Sequence, residues 1–77
     1  MKVSIEYCTS CGYINQALSL RESIERQFGV KAELIKGMGG VFEVSVNDIL
    51  LFSKKELNRF PNNNEVEELL EGWEEVK

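Results

Sequence analysis

Apolar and polar residues alternate at the start of the chain and then change to a helical period. Every second residue of 2–7 is apolar, which is typical of a strand with one buried face. Apolar residues then recur at helical spacing over residues 14–28, and Gly29 follows as a helix C-cap. Thr9 or Ser10 is placed to cap the start of this helix. The apolar helix positions are Ile14, Ala17, Leu18, Ile24 and Phe28.

A second alternating segment follows the helix. Residues 30–35 alternate through Val30, Ala32 and Leu34 and predict a second strand. A strand, a helix and a strand of these lengths form a β-α-β unit, so we expect the two strands to be parallel with a right-handed crossover. Residues 37–40, Gly-Met-Gly-Gly, form a strand connection. They lack the Lys-Ser/Thr pair and the following helix that a phosphate-binding loop requires.

The next two apolar segments predict a β-hairpin. Residues 41–46 and 49–53 are separated by Asn47 and Asp48, which tolerate the left-handed backbone of a tight turn. Side chains alternate across a strand, so one face of the first segment should be buried and the other should carry Glu43 and Ser45. The residues expected on the buried face are Phe42, Val44 and Val46.

The C-terminal part predicts a basic loop and a final helix. Residues 54–61 combine lysines and an arginine with Pro61 and are expected to form a solvated loop. Asn64 followed by Glu67 resembles a capping box and predicts a helix through about Trp73. One side of this helix is apolar and the other is expected to be a solvated acidic face. Its acidic residues are Glu65, Glu67, Glu68, Glu71, Glu74 and Glu75.

Both cysteines of the chain lie in one short motif, Cys8-Thr9-Ser10-Cys11, between the first strand and the first helix. A C-x-x-C pair in this position is typical of a thioredoxin-like redox motif, because a helix N-terminus offers free N–H donors and partial positive charge to a thiolate. A disulfide closing so short a loop would stabilise the fold by only about 2 kcal/mol. Reversible chemistry therefore explains the pair better than a structural bridge, and we take Cys8 and Cys11 as the candidate catalytic residues.

Two other interpretations of the cysteine pair stay open. The pair could be half of a metal site, but structural zinc takes four Cys or His ligands, and this chain has two Cys and no His. Such a site would need a dimer or carboxylates, so we predict no metal and no bound cofactor. The cysteines could also be ordinary small buried residues. Without His, the proton acceptor for thiol exchange is a carboxylate, a lysine, the partner sulfur or water, and the sequence does not choose among them.

The charge balance and the distribution of apolar residues limit the partners. Nine basic and thirteen acidic residues give a net charge of −4, which argues against binding to a phosphate backbone. The chain enters its first strand at Lys2 without a signal segment, and no apolar stretch approaches the roughly 18 to 20 residues that span a bilayer. We therefore expect a monomeric, cytoplasmic protein with no nucleic-acid or membrane partner. A reducing compartment would keep the pair mostly as thiols.

The predicted elements define the fold class. Their order, β-α-β-β-β-α, predicts an α/β (α+β) thioredoxin-like two-layer sandwich in which the first and second strands are parallel and the third and fourth form a hairpin. The 77 residues leave room for a single domain over 1–77. A chain of this length buries only about 60–65 per cent of its unfolded surface, so its stability should be modest.

Three segments of the chain resemble one known family of small redox proteins. In order they have the sequences Val-Ser-Ile-Glu-Tyr-Cys-Thr-Ser-Cys-Gly-Tyr, Gly-Val-Phe-Glu-Val-Ser-Val, and Phe-Ser-Lys-Lys followed by Arg-Phe-Pro. Together they resemble the selenoprotein W-related Rdx family, whose members are thioredoxin-like and have Cys-x-x-Cys or Cys-x-x-selenocysteine after the first strand. The resembling segments are residues 3–13, 40–46, 52–55 and 59–61.

The resemblance implies a role for each sulfur and a class of partner. The family's selenocysteine occupies the position of Cys11, which implies that Cys11 attacks and Cys8 resolves. Sulfur replaces selenium here, so we expect thiol–disulfide exchange with slower peroxide chemistry. The implied partners are protein thiols and disulfides, or glutathione, for which the 54–61 cations are a candidate contact. The resemblance also allows a redox-gated protein-interaction module without turnover, so whether the chain is an enzyme stays open.

Overall fold

The computed structural model describes residues 2–62 and 64–76, and its elements follow the predicted order with one addition. The predicted helix over residues 14–28 is confirmed at both ends. The elements are β1 Val3–Cys8, α1 Ile14–Phe28, β2 Glu33–Gly37, β3 Phe42–Val46, β4 Ile49–Ser53, α2 Lys54–Leu57 and α3 Glu65–Val76.

The strands form one four-stranded mixed sheet in the order β2-β1-β3-β4. β1 pairs with β2 in parallel and with β3 antiparallel, and β3 and β4 form the predicted hairpin. Asn47 and Asp48 join the hairpin with φ angles of 50° and 69°, so both adopt the left-handed backbone that the sequence indicated. The predicted α/β class and its strand directions are confirmed.

Both long helices pack on one face of the sheet. The core contains the alternate residues of β1 and β3 together with Ala17 and Ile24 of α1 and Val66 and Leu70 of α3. Two of the apolar positions of α1, Ile14 and Leu18, are 36% and 39% exposed and lie outside this core. The architecture is therefore two-layered, and the face of the sheet that carries Glu43 and Ser45 lies opposite the helices. The strand residues in the core are Val3, Ile5, Tyr7, Phe42, Val44, Val46 and Phe52.

The second strand begins later than the apolar alternation indicated. Ladder pairing with β1 starts where Ser4 faces Glu33 and ends where Cys8 faces Gly37. Ala32 is buried and Val30 packs against the core, although both precede the strand. The alternation therefore marks burial of the connection as well as of the strand itself, and only pairing with β1 defines the ends of β2.

The segment predicted as a solvated loop over 54–61 contains the short helix α2, which corrects that prediction. The Ser53 side chain caps it by accepting a hydrogen bond from the Glu56 N–H at 3.3 Å. Asn58 ends it with a left-handed backbone, φ 58°, and donates its N–H to the Lys54 carbonyl. Side-chain capping at one end and a left-handed residue at the other account for a helix too short to show a period.

The predicted capping box between Asn64 and Glu67 is wrong, because other residues form the hydrogen bonds at the start of α3. Glu65 accepts a hydrogen bond from the Asn62 N–H at 2.9 Å, while the Glu65 N–H donates to the Asn62 carbonyl at 3.1 Å. Glu67 is buried and accepts a hydrogen bond from the Ser23 hydroxyl of α1. The predicted solvated acidic face therefore does not include Glu67. The side chains of Glu74 and Glu75 lie outside the described part of the chain.

Candidate functional site

The two cysteines lie at one end of the sheet, where β1 leads into the turn before α1. Cys8 is the last residue of β1 and faces Gly37 of β2. Cys8 and Cys11 are disulfide-bonded, with their Cα atoms 5.4 Å apart. The side chain of Cys8 is fully buried, whereas Cys11 is exposed. The structure thus brings the two predicted site residues together and makes one sulfur more accessible than the other.

Backbone hydrogen bonds hold the segment 8–13, which we call the CxxC loop, against the rest of the sheet end. Cys8 donates its N–H to the Val41 carbonyl at 2.8 Å, and Thr9 donates to the Gly37 carbonyl at 3.3 Å. Within the loop, the Tyr13 N–H donates to the Cys8 carbonyl at 3.3 Å. The backbone around Cys8 is therefore fixed by β2, by the 37–41 connection and by the loop itself.

Gly12 and Gly37 are placed where a side chain would disturb this arrangement. Gly12 has a φ of 76°, a left-handed value that favours glycine, directly after Cys11. A Cβ on Gly37 would lie 2.6 Å from Val41 Cγ1 and 2.9 Å from Glu6 Oε2. Val41 and Glu6 can therefore pack against residue 37 only because it has no side chain.

The helix cap expected from Thr9 or Ser10 is not formed. The N-cap residue of α1 is Tyr13, and no side chain caps it. The Ser10 hydroxyl instead lies 3.5 Å from Cys8 Sγ. A disulfide sulfur has no proton, so Ser10 is the donor in this contact. Cys11 thus lies in the turn beside the first turn of α1, and Ser10 contacts the buried sulfur.

An aromatic cluster packs beside the CxxC loop. Tyr13 and Phe60 meet edge to face with ring centroids 4.7 Å apart, and Phe42 and Phe60 do so at 5.3 Å. The Lys54 ammonium lies 5.5 Å from the Tyr13 ring centroid and 5.3 Å from that of Phe60. These distances are within the range of cation–π attraction. The cluster therefore brings a cation from α2 next to the loop that carries Cys11.

An ion pair fixes the segment that carries Phe60. Arg59 Nη1 and Nη2 donate to the two carboxylate oxygens of Glu65 at 2.7 and 2.9 Å. The hydrogen bonds from Arg59 and from the Asn62 backbone lower the pKa of Glu65 to about 2. The same contact raises the pKa of Arg59 above its usual value. A bidentate arginine–carboxylate pair thus spans the connection between α2 and α3.

Sequence reasoning placed the cysteines correctly but did not place Lys54 or Phe60 beside them. Both residues belong to a segment read as a solvated loop, and only the packing of their side chains on Tyr13 brings them to the site. Within residues 2–62 and 64–76, His, Cys, Asp and Glu side chains form no group of three or more arranged to hold a metal ion. In the same ranges no helix has the length and apolar character needed to cross a bilayer.

Comparison with known proteins identifies the family. The model of the Rdx family matches residues 2–72. The chain belongs to the Rdx family. It is 32% identical over 71 residues to migration and invasion enhancer 1 of Bos taurus and 32% identical over 69 residues to that of Mus musculus. These matches cover 91% and 88% of this chain, but the chain spans only 62% and 60% of the length of these curated relatives.

Two solved structures share the fold of this Rdx-family chain. A crystal structure from Bordetella parapertussis has a TM-score of 0.87 and 24% identity, covering 92% of this chain and 94% of that chain. A selenoprotein W-related protein from Vibrio cholerae has a TM-score of 0.87 and 20% identity, covering 94% of each chain. The predicted thioredoxin-like fold is thereby confirmed. Family membership and a cysteine pair at disulfide distance indicate a function of redox type.

Proposed function

We propose that this protein exchanges thiols and disulfides through Cys8 and Cys11. The observation that carries the proposal is the difference between the two bonded sulfurs, since Cys11 is exposed and Cys8 is fully buried. An attacking thiolate must reach a substrate sulfur, whereas a resolving thiolate has to reach only its partner cysteine. This difference supports Cys11 as the attacking residue and Cys8 as the resolving one.

The reaction proceeds in two exchange steps. The Cys11 thiolate attacks one sulfur of a substrate disulfide, the substrate S–S bond breaks, and the leaving thiolate takes a proton from solvent. The Cys8 thiolate then attacks the Cys11 sulfur, closes the intramolecular disulfide and releases the second substrate thiol. The substrate gains two electrons and the protein dithiol loses two. A dithiol, or two molecules of a monothiol such as glutathione, returns the pair to its reduced form.

Several features of the site support this chemistry. Gly12 and the hydrogen bonds of the CxxC loop, including those to Gly37 and Val41, hold the backbone around the two bonded sulfurs. The Ser10 hydroxyl contacts Cys8 Sγ and can donate to a Cys8 thiolate during resolution. The proposed partners are protein disulfides or glutathione, and the proposed location is the cytoplasm, where reduced cysteines persist.

Two single-cysteine variants test the assignment of the sulfurs. We expect native Cys8→Ser to accumulate a mixed disulfide on Cys11 with bis(2-hydroxyethyl) disulfide, because no resolving thiol remains. Native Cys11→Ser should gain no adduct, since its one thiol is buried. Mass spectrometry of the intact protein measures both. Repeating the reaction in urea provides the control, because unfolding exposes Cys8 and should allow its adduct to form. Equal rates of adduct formation in the two native variants would contradict the assignment.

A redox-gated interaction module is the second candidate function. Met38 is 82% exposed in the connection whose Gly37 carbonyl binds the CxxC loop, and Ile14 is 36% exposed just after that loop. Exposed apolar side chains beside the cysteines favour contact with a protein surface. Catalytic turnover of a disulfide with an excess of dithiol would support the exchange protein. Stoichiometric oxidation without turnover, combined with oxidation-dependent binding of a protein, would support the module.

A further inference from the structure

An open groove of about 920 Å³ runs beside the CxxC loop on the side of α2. Thr9 of the loop, the 37–41 connection, and Lys54 and Lys55 of α2 line it. The CxxC loop and the groove wall are directly linked, because Thr9 donates to the Gly37 carbonyl and Cys8 to the Val41 carbonyl. The CxxC loop therefore forms part of the groove wall through Thr9, which lies between the two cysteines in the sequence.

Lys54 lines this groove, and its ammonium lies over two aromatic rings. Its ammonium lies within 5.5 Å of the Tyr13 ring centroid and within 5.3 Å of the Phe60 ring centroid. Tyr13 is the last residue of the CxxC loop, so the ammonium lies over a ring of the loop that carries Cys11. Among the described side chains, the ion pairs are Arg26–Glu22 and Arg59–Glu65, and neither involves Lys54. Its charge is thus available to a ligand.

Two carboxylates and a third lysine, Lys36, also line the groove, and the carboxylates oppose the charge of Lys54. Glu6 and Glu43 face each other across β1 and β3. Glu43 accepts a hydrogen bond from the Ser53 hydroxyl at 2.9 Å, and Glu6 Oε2 lies against the backbone of Gly37. Glu43 therefore lies close to the start of α2, because Ser53 is the N-cap of that helix. An anionic group in the groove would be attracted to the ammonium beside Tyr13 and repelled by the two carboxylates.

We propose that Lys54 binds an anionic group that the substrate carries next to its disulfide, so that the protein prefers carboxylate-bearing disulfides. The proposal rests on the exchange function proposed above and adds its substrate class. Lys54 attracts the negative group while the Cys11 thiolate attacks the neighbouring sulfur. The bonds and electrons then change as in the two exchange steps of the proposed function. Lys54 itself takes no part in proton or electron transfer.

Three small disulfides that differ in charge test the proposal. They are the anionic dithiodiglycolate, the neutral bis(2-hydroxyethyl) disulfide and the cationic cystamine. We measure the second-order rate constant for oxidation of the reduced protein by each disulfide. The rate constant for dithiodiglycolate divided by that for the neutral disulfide is called the anionic ratio. An exposed charge contact changes such a ratio by about three- to fivefold. We expect Lys54→Gln to lower the anionic ratio by that factor and Lys54→Arg to retain most of it.

Two further variants test whether the anionic ratio depends on the charges that line the groove. Glu6→Gln removes a repelling carboxylate and should raise the anionic ratio. Lys31→Gln removes an exposed lysine that precedes β2, at the end of the sheet opposite the cysteines, and should leave the ratio unchanged. Added salt should reduce the difference between the wild type and Lys54→Gln, because ions screen exposed charges.

The possible results separate the two proposals. Equal ratios in the wild type and Lys54→Gln, or a wild-type preference for cystamine that Lys54→Gln does not change, would overturn the role of Lys54 while leaving exchange intact. If Lys54→Arg lowers the anionic ratio as much as Lys54→Gln does, packing of the lysine on the rings determines the ratio rather than its charge. That result would also overturn the role of Lys54. Failure of the wild type to react with any of the three disulfides would overturn the exchange function itself.

Discussion

At the scale of single residues, the site depends on unequal surroundings for two chemically identical side chains. Cys8 is enclosed by strand pairing, by the 37–41 connection and by the Ser10 hydroxyl. Cys11 lies three residues later in an exposed turn, where Gly12 supplies the left-handed backbone. Thiol reactivity depends on access as well as on the thiolate fraction. Burial alone therefore distinguishes the proposed roles of the two sulfurs.

The ion pair between Arg59 and Glu65 makes the stability of the fold depend on pH through the titration of Glu65. The pKa of Glu65 is lowered from 4.5 to about 2, chiefly by its hydrogen bonds with Arg59. A carboxyl whose pKa is lower in the folded state stabilises the fold above its unfolded pKa, and this contribution is lost as the pH falls through the folded value. We expect Glu65→Gln to be less stable than the wild type at pH 7, with the difference disappearing between about pH 4.5 and 2.

Urea unfolding at several pH values measures this difference. Glu68→Gln is the matched control, because Glu68 is an exposed residue of the same helix and loses the same charge. A Glu65→Gln deficit that persists unchanged at pH 2 would show that Glu65 acts through packing rather than through its charge. A deficit of equal size in both variants would show that the effect belongs to the helix terminus and not to the pair.

At the scale of elements, the predictable parts are those whose pattern is local. β1, α1 and the hairpin were predicted from alternation, helical spacing and the Asn47-Asp48 turn, and the structure differs at their ends by at most one residue. α2 was missed because a four-residue helix has no period and depends on caps at Ser53 and Asn58. Lys54 joins the candidate site only through the packing of α2 on Tyr13, which no local pattern encodes.

The burial of Glu67 was missed for a related reason. A glutamate within an acidic stretch is usually solvated, and only the approach of α1 provides the Ser23 hydroxyl that binds it. A buried carboxylate needs such a donor, because an unsatisfied charged group costs more than a hydrogen bond contributes. The contact therefore matters for how α1 and α3 fit together on the sheet.

Removal of Ser23 tests the importance of this contact between the helices. We expect Ser23→Ala to lower the free energy of unfolding by about 1–3 kcal/mol, because the Glu67 carboxylate loses its hydrogen-bond donor. Combining it with Glu67→Leu should recover most of the loss, since an apolar pair leaves no buried charge. Ser19→Ala, at an exposed position of the same helix, is the control. Urea denaturation measures all four proteins, and no difference between Ser23→Ala and Ser19→Ala would contradict the structural role.

At the scale of the whole molecule, the small two-layer fold places both cysteines at one end of the sheet. Its charges are distributed unevenly over the surface. The chain carries a net charge of −4, yet three lysines, Lys36, Lys54 and Lys55, line the groove beside the CxxC loop together with two glutamates. Local bonding of two residues three positions apart contributes little to global stability, which must come from the core. We therefore expect the fold to persist when the bond between Cys8 and Cys11 is reduced.

The reduction potential of the Cys8–Cys11 pair tests the proposed exchange function most directly. The protein is equilibrated with defined ratios of reduced and oxidised dithiothreitol or glutathione, its thiols are alkylated, and its mass reports the fraction oxidised. A reversible midpoint between about −180 and −270 mV, the range of working oxidoreductases, is the predicted result. A midpoint below about −300 mV would mark a structural bridge, and failure to form the disulfide at any ratio would contradict the redox function altogether.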